Sequence, residues 1–389
     1  MPPLIGVDLF SGIGGFTHAL RGLVDTKLFC DIDPYAISVL QARMSDNKLP
    51  KVPIWYDVQT LNRVNLCKEN VRLPRKVDIV MGGFPCVGFS SVGDQDGFEE
   101  AQSHLFFNML KVIDEFNPRF VFMENVPLIL QMGLPDVTRQ FMKRGYTLRW
   151  TIMTARQMGA PQTRKRWYCL AIRIGSKPPT IPEKRAAYKW NARSEPVTMV
   201  LLDDPAAYKA HSRCAVLGNA IVPAVARCAF EALSFWKPES PPYSSASSSS
   251  SPLSPPIPWN KVSEYPSSGY MDAKGLIHSI DLTNLVPQKS KGPLPGVPII
   301  LDPKAYTPPP SKAYTGKKNM IPKPITLEVW ATPRTSKTGA MERLTKRSLG
   351  DLPTQVRFAR STPDELRGGR INPLFVEWLM GFPKNWTRI

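Results

Sequence analysis

The sequence predicts an open α/β domain built on a parallel sheet, followed by a smaller basic part without regular patterning. Apolar runs of strand length recur through the first 175 residues or so, at Leu4–Phe10, Lys27–Ile32, Val52–Val58, Val77–Phe84, Phe120–Val126, Leu148–Thr154 and Trp167–Ile172. Helix-like stretches separate several of them. The runs are continuously apolar rather than alternating, which is the pattern of strands covered on both faces. A glycine-rich turn follows the first run, and in such a sheet ligands sit at the carboxyl ends of the strands.

The first run enters VDLFSGIGGF (7–16), a strand, a turn and a helix start. Gly12, Gly14 and Gly15 let the backbone approach a ligand at a helix amino terminus. Asp31 ends the second run 23 residues after Asp8, where a carboxylate can accept from both ribose hydroxyls. The pair points to an adenosine-containing cofactor. The spacing is not GxGxxG and no P-loop lysine follows, so a nicotinamide cofactor or ATP fits less well. Asp57, at the end of the third run, is either an acceptor for an adenine amino group or an ordinary turn aspartate.

The fourth run leads into GGFPCVGFSS (82–91), which sets Cys86 just past a strand end in a loop shaped by glycines and a proline. Loop amides can lower a thiol pKa there, making Cys86 a candidate nucleophile. Cys30, Cys67, Cys169, Cys214 and Cys228 read as small apolar fillers. The fifth run delivers Glu124 and Asn125 to the same edge, where a carboxyl group can move a proton. In PQTRKRWY (161–168), Gln162, Arg164 and Arg166 alternate before the last run, and a period of two sends them to one face. The arginines suit an anion or a base carbonyl. AVLGNAIVPAVARCAFEALSF (215–235) opens with a Gly-Asn turn and closes as an apolar helix expected to pack on the sheet.

Residues 236–259 are dominated by Ser and Pro, which cannot build a core. They are expected to tether a domain of residues 1–235 to another of residues 260–389. The 389-residue chain is 42% hydrophobic and 21% charged, with a net charge of +18. Of this, residues 236–389 carry +10 and residues 1–235 carry +8. That balance favours a polyanion, nucleic acid before a membrane surface. No signal-type start and no apolar run long enough to span a bilayer is read from the sequence, so an intracellular, non-secreted protein is expected, located wherever DNA is. The six cysteines lack CxxC pairing, which argues against disulfides and a zinc site; no metal is expected.

DLFSGIGGF, DIDPYA, GGFPCVGFS, ENV, QTRKR and GNAIVP together resemble the motifs of the cytosine-5 DNA methyltransferases, over about residues 4–235. WATPRTSKTG, LPTQV and INPLFVEWLMGFPKNWT resemble that family's target-recognition region and the motif after it. The resemblance implies a Rossmann-like, S-adenosylmethionine-dependent methyltransferase sheet with a smaller, irregular target-recognition domain. It implies Cys86 as the thiolate that adds to cytosine carbon 6. Glu124 would serve ring nitrogen 3, and Arg166 the carbonyl oxygen, supported by Arg164 and Gln162. No metal would take part, and the base must be flipped out of the duplex. For S-adenosylmethionine it implies Phe10 on the adenine, Gly12 and Gly14 at the methionine portion, Asp31 on the ribose and Asp57 on the adenine amino group. Pro85, Leu105, Asn219 and Ala220 would complete that pocket.

Two departures stand out. Val87 follows the Pro-Cys pair where many members carry Gln, and GNAIVP precedes the recognition region instead of following it. In the C-terminal part Arg334, Lys337, Arg343, Lys346 and Arg347 are candidates for DNA contact, mostly to phosphates. Leu374, Phe375, Trp378 and Leu379 make a helical stripe that reads as core. The partner expected is double-stranded DNA, with a companion restriction endonuclease implied and a monomer expected. Methylation of tRNA and a catalytically silent DNA-binding relative are the alternatives; an NAD-type oxidoreductase comes last.

Overall fold

A computed structural model describes residues 2–85, 103–181, 200–201, 210–237, 257–258, 265–287, 299–301, 325–327 and 370–389. All seven apolar runs become strands: β1 (Leu4–Leu9), β2 (Val24–Cys30), β3 (Ile54–Trp55), β4 (Ile79–Gly82), β5 (Phe120–Asn125), β6 (Tyr146–Thr154) and β7 (Lys165–Arg173). They lie in the order β3-β2-β1-β4-β5-β7-β6. Pairing is parallel from β3 through β5, whereas β7 runs antiparallel to both β5 and β6. The sheet is therefore mixed, a correction to the parallel reading from apolar content. The reason is the connection. Residues 155–164 join β6 to β7 with a short turn, enough for an antiparallel pair, while a parallel return needs a crossover, usually helical.

Local chemistry starts the helices where the sequence turns. Gly14, with φ +77°, precedes α1 (Gly15–Ala19). The Asp33 side chain accepts from the Tyr35 and Ala36 amides at 2.8 and 2.9 Å and caps α2 (Pro34–Ser45), with Pro34 in the first turn. The core is dry. Val7, Leu9, Val80, Val121 and Phe122 are fully buried. Phe122 meets Phe16 and Phe230 edge-on, with ring centroids 5.5 and 5.1 Å apart. Phe230 lies on the helix Pro223–Phe235, which packs on β6 and β7 as expected. The Arg149 guanidinium donates to the Leu233 and Trp236 carbonyls, both at 2.8 Å, closing that helix's C-terminal end. The stretch Ser212–Phe235 is long and apolar enough to cross a membrane by composition, contrary to the sequence reading, but 83% of its most apolar window is buried in the protein, as in a core helix.

Two compact units divide the chain: residues 1–154, 165–187 and 223–288 in the first, residues 155–164, 188–222 and 289–389 in the second. This division is not the linear one expected from the Ser/Pro tract. Strands Ser268–Met271, Leu276–Ser279 and Ile257–Pro258 extend the first unit's sheet past β6. In the second unit, Val200–Leu201 pairs with Arg370–Ile371 and Ile299–Leu301 with Ile325–Leu327. The helix Ala210–Asn219 packs against Pro373–Leu379. Phe375 and Leu379 are buried and Leu374 and Trp378 half-buried, so the C-terminal stripe is core. Cys30, Cys169 and Cys228 are buried as well, and burial pushes the Cys30 and Cys169 thiols far up, as suits inert fillers.

Candidate active site

Sheet register brings the candidate residues of the first unit to one edge. Leu9 pairs with both Cys30 and Gly82, and Gly82 pairs with Met123. β1, β2 and β4 therefore end level, with Phe10, Asp31 and Gly83 the next residues out, and Glu124 stands at the same level on β5, which runs on to Asn125. Across the antiparallel pair Glu124 faces Tyr168. Arg166 lies two residues from Tyr168 and so shares the face of Glu124, a diagonal that long side chains can bridge. Arg166 Nε and Glu124 Oε1 are 2.9 Å apart, with side chains only 21% and 12% exposed. The site thus holds a carboxylate and a guanidinium, both largely withdrawn from water.

Two neighbours shape this pair. A Cβ at Gly83 would lie 2.9 Å from Glu124 Oε2, so the backbone there makes room for the carboxylate. Asn125 Nδ2 donates to the Phe84 carbonyl at 3.2 Å, and its Oδ1 accepts from the Val126 amide at 2.7 Å. Asn125 so fastens the chain that runs through exposed Pro85 into Cys86. Cys86 itself lies outside the described residues, as do Arg334, Lys337, Arg343, Lys346 and Arg347. Gly83 was not singled out from the sequence, although the Gly-Gly pair ahead of Phe-Pro-Cys was its signal.

The glycine turn supplies the second half of the edge. Phe10, Gly12 and Gly14 have φ of +50°, +52° and +77°. The Gly12 amide donates to Asp31 Oδ2 at 2.6 Å, and the Asp33 amide to Asp31 Oδ1 at 2.9 Å. Burial raises the Asp31 carboxyl above its ordinary value. A Cβ at Gly12 would meet nothing within 4 Å, whereas one at Gly14 would strike Leu49 Cδ1 at 2.6 Å. Gly12 therefore leaves open space above the turn, and Gly14 packs closely on Leu49 with a positive φ that favours glycine. Ile32 and Tyr56 are 75% and 60% exposed. They are large apolar side chains left in water, and they flank Asp31, whose amide donates to the Trp55 carbonyl at 3.1 Å. A half-buried carboxylate, open space over glycine and uncovered apolar side chains fit a molecule with a ribose diol and a flat ring. Neither Ile32 nor Tyr56 was expected; an apolar residue between Asp31 and Asp33 was the available sign.

The remaining expectations divide. Asp57 caps the short turn Val58–Thr60 through the Gln59 amide at 2.9 Å, and Leu105 is half-buried against the core. Asn219 is exposed and Ala220 buried, at the end of a helix of the second unit. Gln162 and Arg164 precede β7 and make their described contacts within the second unit, so alternation along a strand does not set them on one face with Arg166. Gln162 is fully buried and donates to the Leu379 carbonyl. Arg164 is 3% exposed, and its Nη2 donates to the Gly218 and Ala220 carbonyls at 3.0 and 2.6 Å. A period of two holds only inside a strand, and β7 begins at Lys165, after both residues.

Comparison with known proteins gives consistent results. The family model described as C-5 cytosine-specific DNA methylase matches residues 5–216. The type II methyltransferase M.CviJI of Paramecium bursaria Chlorella virus IL3A is 27% identical over 98% of this chain and 96% of its own length. The type II methyltransferase M1.HphI of Haemophilus parahaemolyticus is 31% identical over 46% of this chain and 48% of its own. Among solved structures, the S. pombe Dnmt2 methyltransferase overlaps 51% of this chain and 64% of its own, at 21% identity and a TM-score of 0.39.

Proposed function

From the premise that this chain belongs to the C-5 cytosine-specific DNA methylase family, and so methylates carbon 5 of cytosine in DNA, we propose the roles its residues take in that reaction. Cys86 is the nucleophile, Glu124 the group that serves cytosine nitrogen 3, and Arg166 the group that holds the carbonyl oxygen. The observation that carries this reading is the Glu124–Arg166 contact of 2.9 Å beside Gly83, three residues before Cys86 and next to the chain that Asn125 fastens.

The chemistry needs those groups together. Carbon 5 of cytosine is a poor nucleophile until a thiolate adds to carbon 6 and interrupts the aromatic ring. Electron density then moves toward nitrogen 3 and the carbonyl oxygen. A proton held at Glu124 and the cation of Arg166 neutralise it where it develops. S-adenosylmethionine, when bound, supplies an electrophilic methyl group. Loss of the carbon 5 proton then restores the ring and expels the Cys86 sulfur. Such a base is unreachable within a duplex, so it leaves the stack at a cost of a few kcal/mol, offset by contacts in the pocket and along the backbone.

For cofactor capture the proposal assigns Phe10 to ring contact, Gly12 to close approach and Asp31 to the ribose hydroxyls. Asp57, Pro85, Leu105, Asn219 and Ala220 follow from the family resemblance. DNA recognition falls to the basic C-terminal part, with Arg334, Lys337, Arg343, Lys346 and Arg347 as contacts. The type II designation of the relatives supports a companion endonuclease; we further propose a monomeric enzyme acting wherever the DNA lies.

The test is methyl incorporation from labelled S-adenosylmethionine into DNA and into tRNA, beside trapping on DNA that contains 5-fluorocytosine. The expected result is incorporation into DNA and a covalent adduct with wild type. Cys86→Ser should lose both while still binding cofactor. Incorporation into tRNA alone would move the substrate to RNA. DNA binding without an adduct would make the chain a silent relative.

A further inference from the structure

Arg164 lies two residues ahead of Arg166 yet spends its guanidinium elsewhere. The carbonyls at a helix C-terminus lack intrahelical partners. At the end of Ala210–Asn219 one nitrogen, Arg164 Nη2, takes two of them, Gly218 at 3.0 Å and Ala220 at 2.6 Å. Both flanking residues are buried while Asn219 between them is exposed. The carbonyls of the residues on either side of Asn219 are therefore pinned by buried, charge-assisted hydrogen bonds.

The same helix is anchored a second time. Arg213 Nη2 lies 3.0 Å from Glu377 Oε1, and Arg213 Nε donates to Thr387 Oγ1 at 2.9 Å. Glu377 is fully buried and also accepts from the Thr387 amide at 2.8 Å and the Asn385 amide at 2.7 Å. Gln162 donates to the carbonyl of Leu379, at the end of the helix that carries Glu377. Residues far apart in sequence thus meet in one polar lock inside the second unit. A buried ion pair adds little net stability over a packed apolar core, but breaking one side of it is costly, so it fixes geometry more than it strengthens a fold.

We propose that Arg164 is a positioning residue that holds the Gly218–Ala220 turn for cofactor capture, and that the buried Arg213–Glu377 lock makes the C-terminal segment part of that support. The inference rests on the proposed cofactor role of Asn219 and Ala220. It also accounts for the unusual motif order. The segment after the basic stretch returns to brace a turn more than 150 residues earlier in the chain.

The experiment compares full-length wild type with Arg164→Met, Arg164→Lys and Glu377→Gln. It measures the KM for S-adenosylmethionine, the kcat per site trapped on 5-fluorocytosine DNA, and the Tm. Removing both charge-assisted bonds with Arg164→Met should raise the KM about tenfold while kcat per trapped site stays within about threefold. Arg164→Lys, whose ammonium can reach the carbonyls, should recover most of that loss. Glu377→Gln, acting through Arg213, should raise the KM by about threefold. A fold-only role would lower the Tm and the fraction of enzyme that can be trapped and leave the KM for S-adenosylmethionine unchanged, which overturns the proposal. If Arg164→Met does not fold, Arg164→Lys and Glu377→Gln carry the same test, and an unchanged KM in both overturns it. Wild type that leaves DNA unmethylated would instead sink the functional reading.

Discussion

Gly83 and Glu124 stand so close that a single added carbon cannot fit between them: a Cβ at Gly83 would sit 2.9 Å from Glu124 Oε2. The carboxylate end is flexible, so the chain need not unfold to admit a methyl group; the side chain moves instead. Its contact with Arg166, 2.9 Å in the native arrangement, is what gives way. Gly83→Ala should therefore lower kcat about tenfold or more, because misplacing a reacting group by an ångström is costly. The KM for S-adenosylmethionine and the Tm should stay close to wild type. Steady-state kinetics with a melting curve check this, and an unaltered kcat would remove Gly83 from the site.

Asp31 gives a prediction of opposite form. Its two oxygens accept from the Gly12 and Asp33 amides, so the carboxylate both orders the turn and remains half-buried at its mouth. Asp31→Asn cannot accept at both oxygens, since the amide nitrogen must face one N–H. The loss is of binding rather than of chemistry. The expected result is a rise of about tenfold or more in the KM for S-adenosylmethionine with kcat little changed, the pattern of lost uniform binding. Titration calorimetry with the cofactor checks it. Unchanged affinity would move the ribose contact to another residue.

These two sites show what the sequence discloses. Seven strands were legible because continuous apolar runs require burial on both faces, and the edge residues followed because ligands sit where such strands end. Arg166 and Glu124 were each readable, but their meeting depends on the register of β7 against β5, strands separated by residues 126–164, which the apolar pattern does not encode. Gln162 and Arg164 were misread for the same reason: alternation was carried past the start of β7, into residues that turn inward. The hairpin 268–279 escaped notice because its strands are four residues each, too short to separate from the proline-spaced stretch around them. Tyr56 carries no pattern, and Ile32 only its place between Asp31 and Asp33, since exposure is a property of the fold and not of residue type.

That hairpin yields a test of domain organisation. Gly269 pairs with Trp150 on β6, and the Trp150 indole donates to the Pro266 carbonyl at 2.9 Å. A Cβ at Gly269 would lie 2.6 Å from Trp150 Cζ2 and 2.8 Å from the His278 carbonyl oxygen. The carbonyl is backbone and the indole is fully buried, so neither can swing aside. Gly269→Ala should destabilise the catalytic sheet by about 1–3 kcal/mol, lowering the Tm of the cofactor-stabilised transition. If the hairpin folded with a separate C-terminal domain, that transition would not move.

Asp8 supplies a pH dependence with a definite sign. Its side chain is fully buried beneath the glycine turn, where Oδ2 accepts from Thr17 Oγ1 at 2.7 Å while Oδ1 has no partner. Desolvation raises its pKa from 3.8 to about 7, against the lowering effect of the Thr17 hydrogen bonds. The folded state therefore holds this proton more tightly than the unfolded chain. The stability contributed is complete below about pH 4 and is lost as pH rises toward 7, at up to about 1.4 kcal/mol per pH unit. Asp8→Asn keeps an oxygen for Thr17 and has no charge to bury. Relative to wild type it should gain about 2–4 kcal/mol between pH 4 and pH 8, with little further change above that. Asp31 remains in both proteins, and its charge is the smallest of the influences on Asp8, so it alters the difference little. Urea midpoints of the two proteins at pH 5 and pH 8 decide the matter: parallel pH profiles would show that Asp8 is ionised in the folded protein well below neutrality.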